Sequence, residues 1–358
     1  MTMNIPAAGL RQTPAQHGFD TQRLNAWMQT HIAGFSGPID VQQFAGGQSN
    51  PTFLVQSPTH RYVLRRNPPG KLLPSAHAVD REFRVLAALE GTAVPVAHVH
   101  ALCEDPDVIG SAFYVMDYVD GRIFWDALLP EVAAPQRRAV YSEMVRVLAA
   151  LHSVDYAAVG LGDYGKQGHY VERQVSRWTQ QYRASETEKL ESMERLIEWL
   201  PQHIPPGDET SIVHGDYRLD NLMLHATEPK ILAVLDWELS TLGHPLADFA
   251  YHCMTWHIPK GVFRGLAGVD LAALGIPNEQ DYVAAYCRRT GRDGIDPNHW
   301  DFYIAYNLFR LAAILQGIAG RVKDGTAASP QAAMMGSAVQ PLGDQGWKLV
   351  EKILARGV

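Results

Sequence analysis

Apolar residues at Leu24, Trp27, Met28 and Ile32 recur at three- and four-residue intervals. That spacing predicts a helix, with Asp20 as its N-cap. A period of two then takes over. "VQQFAGGQSNPTFLVQS" reads as strand, glycine turn and strand, and "RYVLRRN" as a third strand. "AVDREFRVLAALEG" returns to helical spacing, with Val79, Phe83, Leu86 and Leu89 on one face and Gly91 closing it. "SAFYVMDYVDG" is an apolar strand running into an acidic, glycine-bearing turn. Beyond it the pattern changes. "RRAVYSEMVRVLAALHSV" carries a helical stripe at Val140, Met144, Val147, Leu148 and Leu151. Residues 170–201 are charged and helical, as one or two helices ending before Pro201. "DFYIAYNLFRLAAILQGIAGRV" is apolar nearly all round, which predicts a buried helix.

This order predicts an α+β chain with two lobes. Residues 1–116 form a small β-rich lobe, with 1–18 a loose Pro/Gln/Ala-rich tail. Residues 117–121 link it to a helical lobe, 122–358, which carries one strand cluster at 211–235. The composition, 46% hydrophobic and 19% charged over 358 residues, is that of an ordinary globular chain. A net charge of −7 argues against nucleic-acid binding. Cys103, Cys253 and Cys287 are far apart and form no CxxC pair, so neither a disulfide framework nor a zinc site is expected. A reducing cytoplasm fits that usage. "MTMNIPAAGLRQ" has no basic region followed by an apolar core, and no run of about 18 apolar residues predicts a membrane span.

The stretch "SIVHGDYRLDNLMLH" (211–225) concentrates polar groups between apolar runs, and "ILAVLDWE" (231–238) follows it. Asp216, Asn221 and Asp236 all fall at the ends of buried strands, where polar groups need partners or a ligand. Together they supply one general base and two oxygen ligands for Mg²⁺, which favours a few carboxylates plus phosphate oxygens. Those are the parts that phosphoryl transfer needs.

His214-Gly215-Asp216, with Asn221 five residues after the aspartate, resembles the catalytic loop of the aminoglycoside phosphotransferase-like kinases. Asp236 matches the metal aspartate of that fold, and "GHPLADFA" its structural segment, in which Asp248 braces the loop. "GGQSNPTFL", "VLRRNPPGKLLPSAHAVDREFRVLAAL" and "FRLAAILQGIAGR" are similar to the subgroup that is also found fused to some acyl-CoA dehydrogenases. The resemblance implies a two-lobed protein-kinase-like fold, ATP and Mg²⁺ as cofactors, and Asp216 as general base. Asn221 and Asp236 become the metal ligands. It also implies a nucleotide side. Gly46 and Gly47 allow backbone N–H groups to approach the phosphates, with Ser49 and Asn50 as added donors. Val63 roofs the adenine and Arg65 stands where protein kinases carry a lysine. Arginine binds phosphate bidentately but is bulkier, so Arg65, Arg66 and Lys71 all remain candidates for that contact. Glu82 is the natural partner of the cation. Met116 and the backbone from Asp117 to Val119 form the adenine edge. Glu238 is either a second metal-side carboxylate or a solvated residue. Arg218 and Asp220 shape the loop or face the substrate, and His214 is a packing residue.

The acceptor is read from charge. Residues 250–358 hold nine acids against eleven Lys or Arg, and the apolar helix has Asp301 against Arg310 and Arg321. This suits a polycationic aminoglycoside poorly. Trp256, Phe302, Tyr306, Phe309 and Arg310 better suit an anionic or acyl-bearing alcohol, in line with a hydroxyacyl thioester or hydroxy acid. Arg310, mid-helix, must pair with an acid such as Asp248 or face a substrate anion. A true aminoglycoside phosphotransferase, a nucleotide-binding pseudokinase and a protein kinase are the alternatives. The chain shows no APE segment after the metal aspartate, which favours a small-molecule acceptor over a protein.

Overall fold

The structure, a computed structural model, describes residues 2–4, 10–11, 18–44, 50–68, 78–324 and 335–357. The chain divides into two compact units. The first comprises Met1–Trp125, Tyr156–Tyr164 and Leu219–Ser240; the second comprises Asp126–Asp155, Gly165–Arg218 and Thr241–Val358. The sequence places the division at 117–121, so the hairpin after Arg218 is the main difference. It leaves its neighbours in sequence because its first strand, 222–224, pairs with strand 122–124.

In the first unit, the tail expected to be loose contributes β1 (Thr2–Asn4) and β2 (Leu10–Arg11). Edge pairing needs only backbone, so no apolar pattern announces them. A six-stranded antiparallel sheet has the order β2, β3 (Asp40–Phe44), β4 (Thr52–Gln56), β5 (Arg61–Arg66), β7 (Phe113–Asp117), β6 (Val99–Cys103). A second sheet runs β1, β8 (Arg122–Phe124), β10 (Leu222–Leu224), β11 (Ile231–Val234). Gly121 makes that sheet possible. A Cβ there would stand 2.5 Å from the Leu224 carbonyl and 2.8 Å from Met223 Cγ.

Helix α1 (Thr21–His31) starts as expected, with the Asp20 carboxylate accepting from the N–H groups of Gln22 and Arg23. Its Leu24 and Met28 join Phe53, Val55, Tyr62, Leu64, Phe113 and Val115 in one core cluster. Alternate residues of β4, β5 and β7 therefore face α1. The intervening ones, Leu54, Val63, Arg65, Tyr114 and Met116, face the other way. Helix α2 (Val79–Leu89) buries Val79, Glu82, Val85, Leu86 and Leu89. The apolar spacing predicts Phe83 in that stripe. Instead Phe83 is half-buried and the acid Glu82 takes the place, because its partners lie in the sheet.

The second unit is helical: α3 (Ala134–His152), α4 (Tyr170–Ser185), α5 (Glu191–Trp199), α6 (Pro245–Cys253), α7 (Glu279–Thr290), α8 (Pro297–Lys323) and α9 (Val339–Ala355). Among its described residues, β9 (Ser211–Val213) pairs with β12 (Thr241–Gly243). Helix α8 opens on an Asp296 cap and Pro297, which lacks an N–H where the helix has no use for one. By length and composition alone α8 could cross a membrane, contrary to the sequence expectation. Of its most apolar stretch, 78% is buried inside the protein. Its one buried acid, Asp301, is held by Lys352 of α9 at 3.0 Å and by Arg356, the residue that caps α9, at 2.8 Å.

Candidate active site

The first unit carries a cluster around Arg65. Strand alternation turns Arg65 toward α2 and the β10–β11 hairpin, and its neighbour Arg66 the opposite way. Arg65 Nε stands 2.9 Å from Glu82 Oε2, and its Nη2 donates to Asp236 Oδ1 at 2.7 Å and reaches Glu238 Oε2 at 3.4 Å. Glu82 is 2% exposed. It also accepts from Asn50 Nδ2 at 2.7 Å and from the Tyr114 hydroxyl at 3.1 Å. Burial pushes the Glu82 carboxyl above its ordinary range, against the pull of Arg65. Burial disfavours the Arg65 charge too, but Glu82, Tyr114 and Asp236 outweigh it and hold the guanidinium above its usual value.

The hairpin register brings the two candidate metal ligands to one end. Leu222 is opposite Val234, and Leu235 N–H donates to the Asn221 carbonyl at 2.8 Å. Asn221 and Asp236 therefore flank the last rung of the ladder. Asp236 has φ 64° and ψ 63°, a left-handed conformation that Asp tolerates better than most residues. Three carboxylates (Glu82, Asp236, Glu238) meet one guanidinium here. That leaves negative charge in excess beside an Asn and an Asp oxygen, the hard-oxygen setting that magnesium takes when phosphates complete its shell. No group of three or more His, Cys, Asp or Glu among the described residues is arranged to hold a metal alone.

On the same sheet face, Val63 lies opposite Met116 on one side and Leu54 on the other. This apolar strip adjoins Arg65. Asp117 N–H donates to the His98 carbonyl and Tyr118 N–H to the Arg61 carbonyl, so neither amide is left for a base. Asp117 spends its carboxylate on His100 Nε2 at 2.7 Å. Val119 packs against Ile123, Met223 and Ala233.

The second unit carries the His214-Gly215-Asp216 turn, which follows β9. Asp248, on α6, accepts from His214 N–H at 2.8 Å and Gly215 N–H at 2.9 Å. It accepts as well from His152 Nε2 at 3.2 Å, which leaves His152 Nδ1 to accept from the Tyr286 hydroxyl at 2.7 Å. Burial opposes ionisation of Asp248, but His152 and the turn amides prevail and hold its carboxyl below the usual range. The expected bracing role fits this arrangement. Gly215, at φ 81°, makes the bend. His214 is fully buried, and its Nδ1 accepts from Asp216 N–H at 3.2 Å. The Tyr251 hydroxyl donates to Asp216 Oδ1 at 2.6 Å, and Arg218 Nη2 stands 2.9 Å from Oδ2. Arg310 does not hydrogen-bond the expected Asp248, whose oxygens take the turn amides and His152. It donates to the Gly215 carbonyl at 2.6 Å and lies 4.7 Å over the Tyr251 ring.

Several sequence expectations thus change. Asn50 turns inward to Glu82 and is 1% exposed, so its amide braces the acid that pairs with Arg65, where a phosphate donor was expected. Arg66 is buried against the Ile109 and Asn67 carbonyls, on the face away from Asp236. Gly46, Gly47, Ser49 and Lys71 lie outside the described residues. Tyr114 and Tyr251 were missed. Tyr114 was legible as the alternate of Met116 on one strand face, and Tyr251 as the residue one turn after Asp248.

A family model described as the phosphotransferase enzyme family matches residues 40–297. The mouse acyl-CoA dehydrogenase family member 10 is 46% identical over 92% of this chain and 30% of its own length. The chain spans less than half the length of the curated relatives it matches. A crystal structure from Ralstonia eutropha, provisionally named an aminoglycoside phosphotransferase, is 56% identical. It has a TM-score of 0.87 and covers 94% of this chain and 99% of its own. Choline kinase from Cryptosporidium parvum shares the fold at TM-score 0.64 and 13% identity, covering 94% of this chain and 97% of that one. The α+β architecture is kinase-like, as its sequence implies.

Proposed function

Because the chain belongs to the phosphotransferase enzyme family, we propose that it moves the γ-phosphoryl group of ATP to an alcohol hydroxyl of a small molecule. The observation that carries this reading is the hairpin register, which sets Asn221 and Asp236 side by side and next to the Arg65–Glu82 pair. Asn221 and Asp236 would hold magnesium, whose chemistry when bound is to neutralise charge on the phosphate oxygens. Arg65 would reach the same phosphates, and the Val63–Met116 strip would take the adenine. Asp216, five residues before Asn221 in sequence, accepts the proton of the attacking hydroxyl.

For the acceptor, the reading is an alcohol on an acyl thioester or a hydroxy acid. The charge balance of 250–358 supports it. So does likeness to proteins named for acyl-CoA dehydrogenases, of which this chain matches only a part. The experiment is an ATP-consumption screen over hydroxyacyl-CoAs, hydroxy acids, choline-like alcohols, sugars and aminoglycosides, with Asp216→Asn run beside the wild type. A hydroxyacyl-CoA or hydroxy acid should turn over, and Asp216→Asn should lose about 10²–10⁴-fold. Turnover in Asp216→Asn equal to wild type removes the base assignment. Aminoglycoside turnover with no acyl turnover reverses the acceptor assignment.

A further inference from the structure

Asp216 sits on an irregular turn, outside any helix or strand. Both carboxylate oxygens are nevertheless held: Oδ1 by the Tyr251 hydroxyl at 2.6 Å and Oδ2 by Arg218 at 2.9 Å. We propose that Tyr251 is a positioning residue for Asp216, its hydroxyl aiming the carboxylate at the acceptor while Arg310 locks the tyrosine ring and the turn together. This rests on the reading of Asp216 as general base.

Three observations carry it. First, Asp248 and Tyr251 are three residues apart on α6, so they project from one face of that helix. A single helical turn thus supplies the acceptor for the His214 and Gly215 amides and the donor for the Asp216 side chain. Second, Arg310 is buried in α8. Its guanidinium donates to the carbonyl of Gly215, the residue before Asp216, and lies over the rings of Tyr251 at 4.7 Å and Trp178 at 5.5 Å. A cation this deep is costly unless its partners are fixed. It therefore ties α8, the turn and the Tyr251 ring into one rigid block. Third, the two donors take different oxygens of the carboxylate, Tyr251 on Oδ1 and Arg218 on Oδ2, so its orientation is set from two sides.

The charged groups that act on this pair are Arg218 on the turn and Arg310 on α8. Burial, and then Asp216, push the Tyr251 phenol above the range in which it could lose its proton, so it donates throughout. A donor to the ionised carboxylate favours that form. Tyr251 thus holds the carboxylate as a donor and does not take the proton itself.

Tyr251→Phe keeps the ring and its stacking on Arg310 and deletes one O–H. The probe is MgATP with water as the phosphoryl acceptor, followed from pH 5 to 9, together with proton NMR of the resting protein. The wild type should show a slowly exchanging downfield hydroxyl proton that is missing in both Tyr251→Phe and Asp216→Asn. Hydrolysis by Tyr251→Phe should fall about tenfold in kcat at unchanged KM for ATP, and its acid limb should move up by about one pH unit. Arg310→Lys should move the limb the same way, less far. A Tyr251→Phe enzyme with wild-type kcat and an unmoved limb overturns the proposal. So does a wild-type spectrum without the bonded proton. The base reading fails separately, if Asp216→Asn hydrolyses ATP like the wild type.

Discussion

Replacing Arg65 by Met asks what its cluster is worth. Arg65 is 14% exposed at its side chain and Glu82 2%, so this pair is buried. Removing one partner of a buried pair costs about 3–5 kcal/mol, because the other is left desolvated and uncompensated. Asp236 is about a third exposed and Glu238 a quarter, so both rehydrate when the guanidinium goes. Each adds less than about 1 kcal/mol, the ordinary worth of an exposed pair. The prediction is a loss of about 3–5 kcal/mol at pH 8, nearly all through Glu82. The sign with pH follows. Burial already raises the Glu82 carboxyl in the folded protein, and without Arg65 the rise grows. A raised carboxyl is bound to its proton more tightly when folded. Its favourable term is therefore full below the unfolded value and lost as pH rises through the folded one. Arg65→Met should accordingly recover stability between pH 8 and pH 5. Adding Glu82→Gln removes the stranded charge and keeps an oxygen for Asn50 or Tyr114, so the double variant should recover most of the loss at pH 8. Urea unfolding followed by circular dichroism at pH 5, 6, 7 and 8 measures all three. A single variant within about 1 kcal/mol of wild type at pH 8, or a double variant no better than the single, refutes the reasoning.

Two further predictions concern buried groups of the second unit. Burial lowers His244 and His252 to about 4 in the folded protein, while an unfolded histidine titrates near 6.5. The folded state therefore binds fewer protons in that window, and stability should fall by about 1.4 kcal/mol per pH unit for each ring as pH drops from 6.5 toward 4; urea midpoints that stay level over that range would exclude it. Asp248 runs on the carboxylate rule: its folded value is depressed, so its contribution is present at neutral pH and lost as pH falls through that value. Asp248→Asn should cost about 2–3 kcal/mol at pH 7 and little near pH 2, and an equal cost at both pH values would show that its charge is irrelevant.

The fold was legible where periodicity was long. Helix 20–32 and the strands at 40–44, 52–56, 61–66 and 113–117 stand where the spacing puts them, and α8 is buried as its all-round apolarity implies. Strands of three residues, β8 and β12, carry no readable period. The assignment of the β10–β11 hairpin to the first unit was hidden for another reason: it depends on pairing with β8, a contact between residues about a hundred positions apart. The site was legible as residue types. Asp216, Asn221 and Asp236 were named from their places at strand ends together with the family resemblance, and Glu82 as the partner of a cation. The roles of Asn50, Tyr114 and Arg310 were not, because each depends on which neighbour the packing offers. Asn50 had an unfilled acid beside it, and Arg310 a carbonyl where an acid was expected.

The left-handed backbone at Asp236 has a consequence for how this chain can vary. A positive φ admits Gly freely and Asn or Asp at modest cost, and it excludes β-branched and bulky residues whatever the chemistry. Two filters therefore act in series at one codon. A library selected only for folding should keep Gly, Asn and Asp at 236. One selected for turnover should keep Asp alone. The gap between the two survivor lists would separate the demand of the backbone from the demand of the carboxylate, with no purified enzyme and no identified acceptor needed to read the first list.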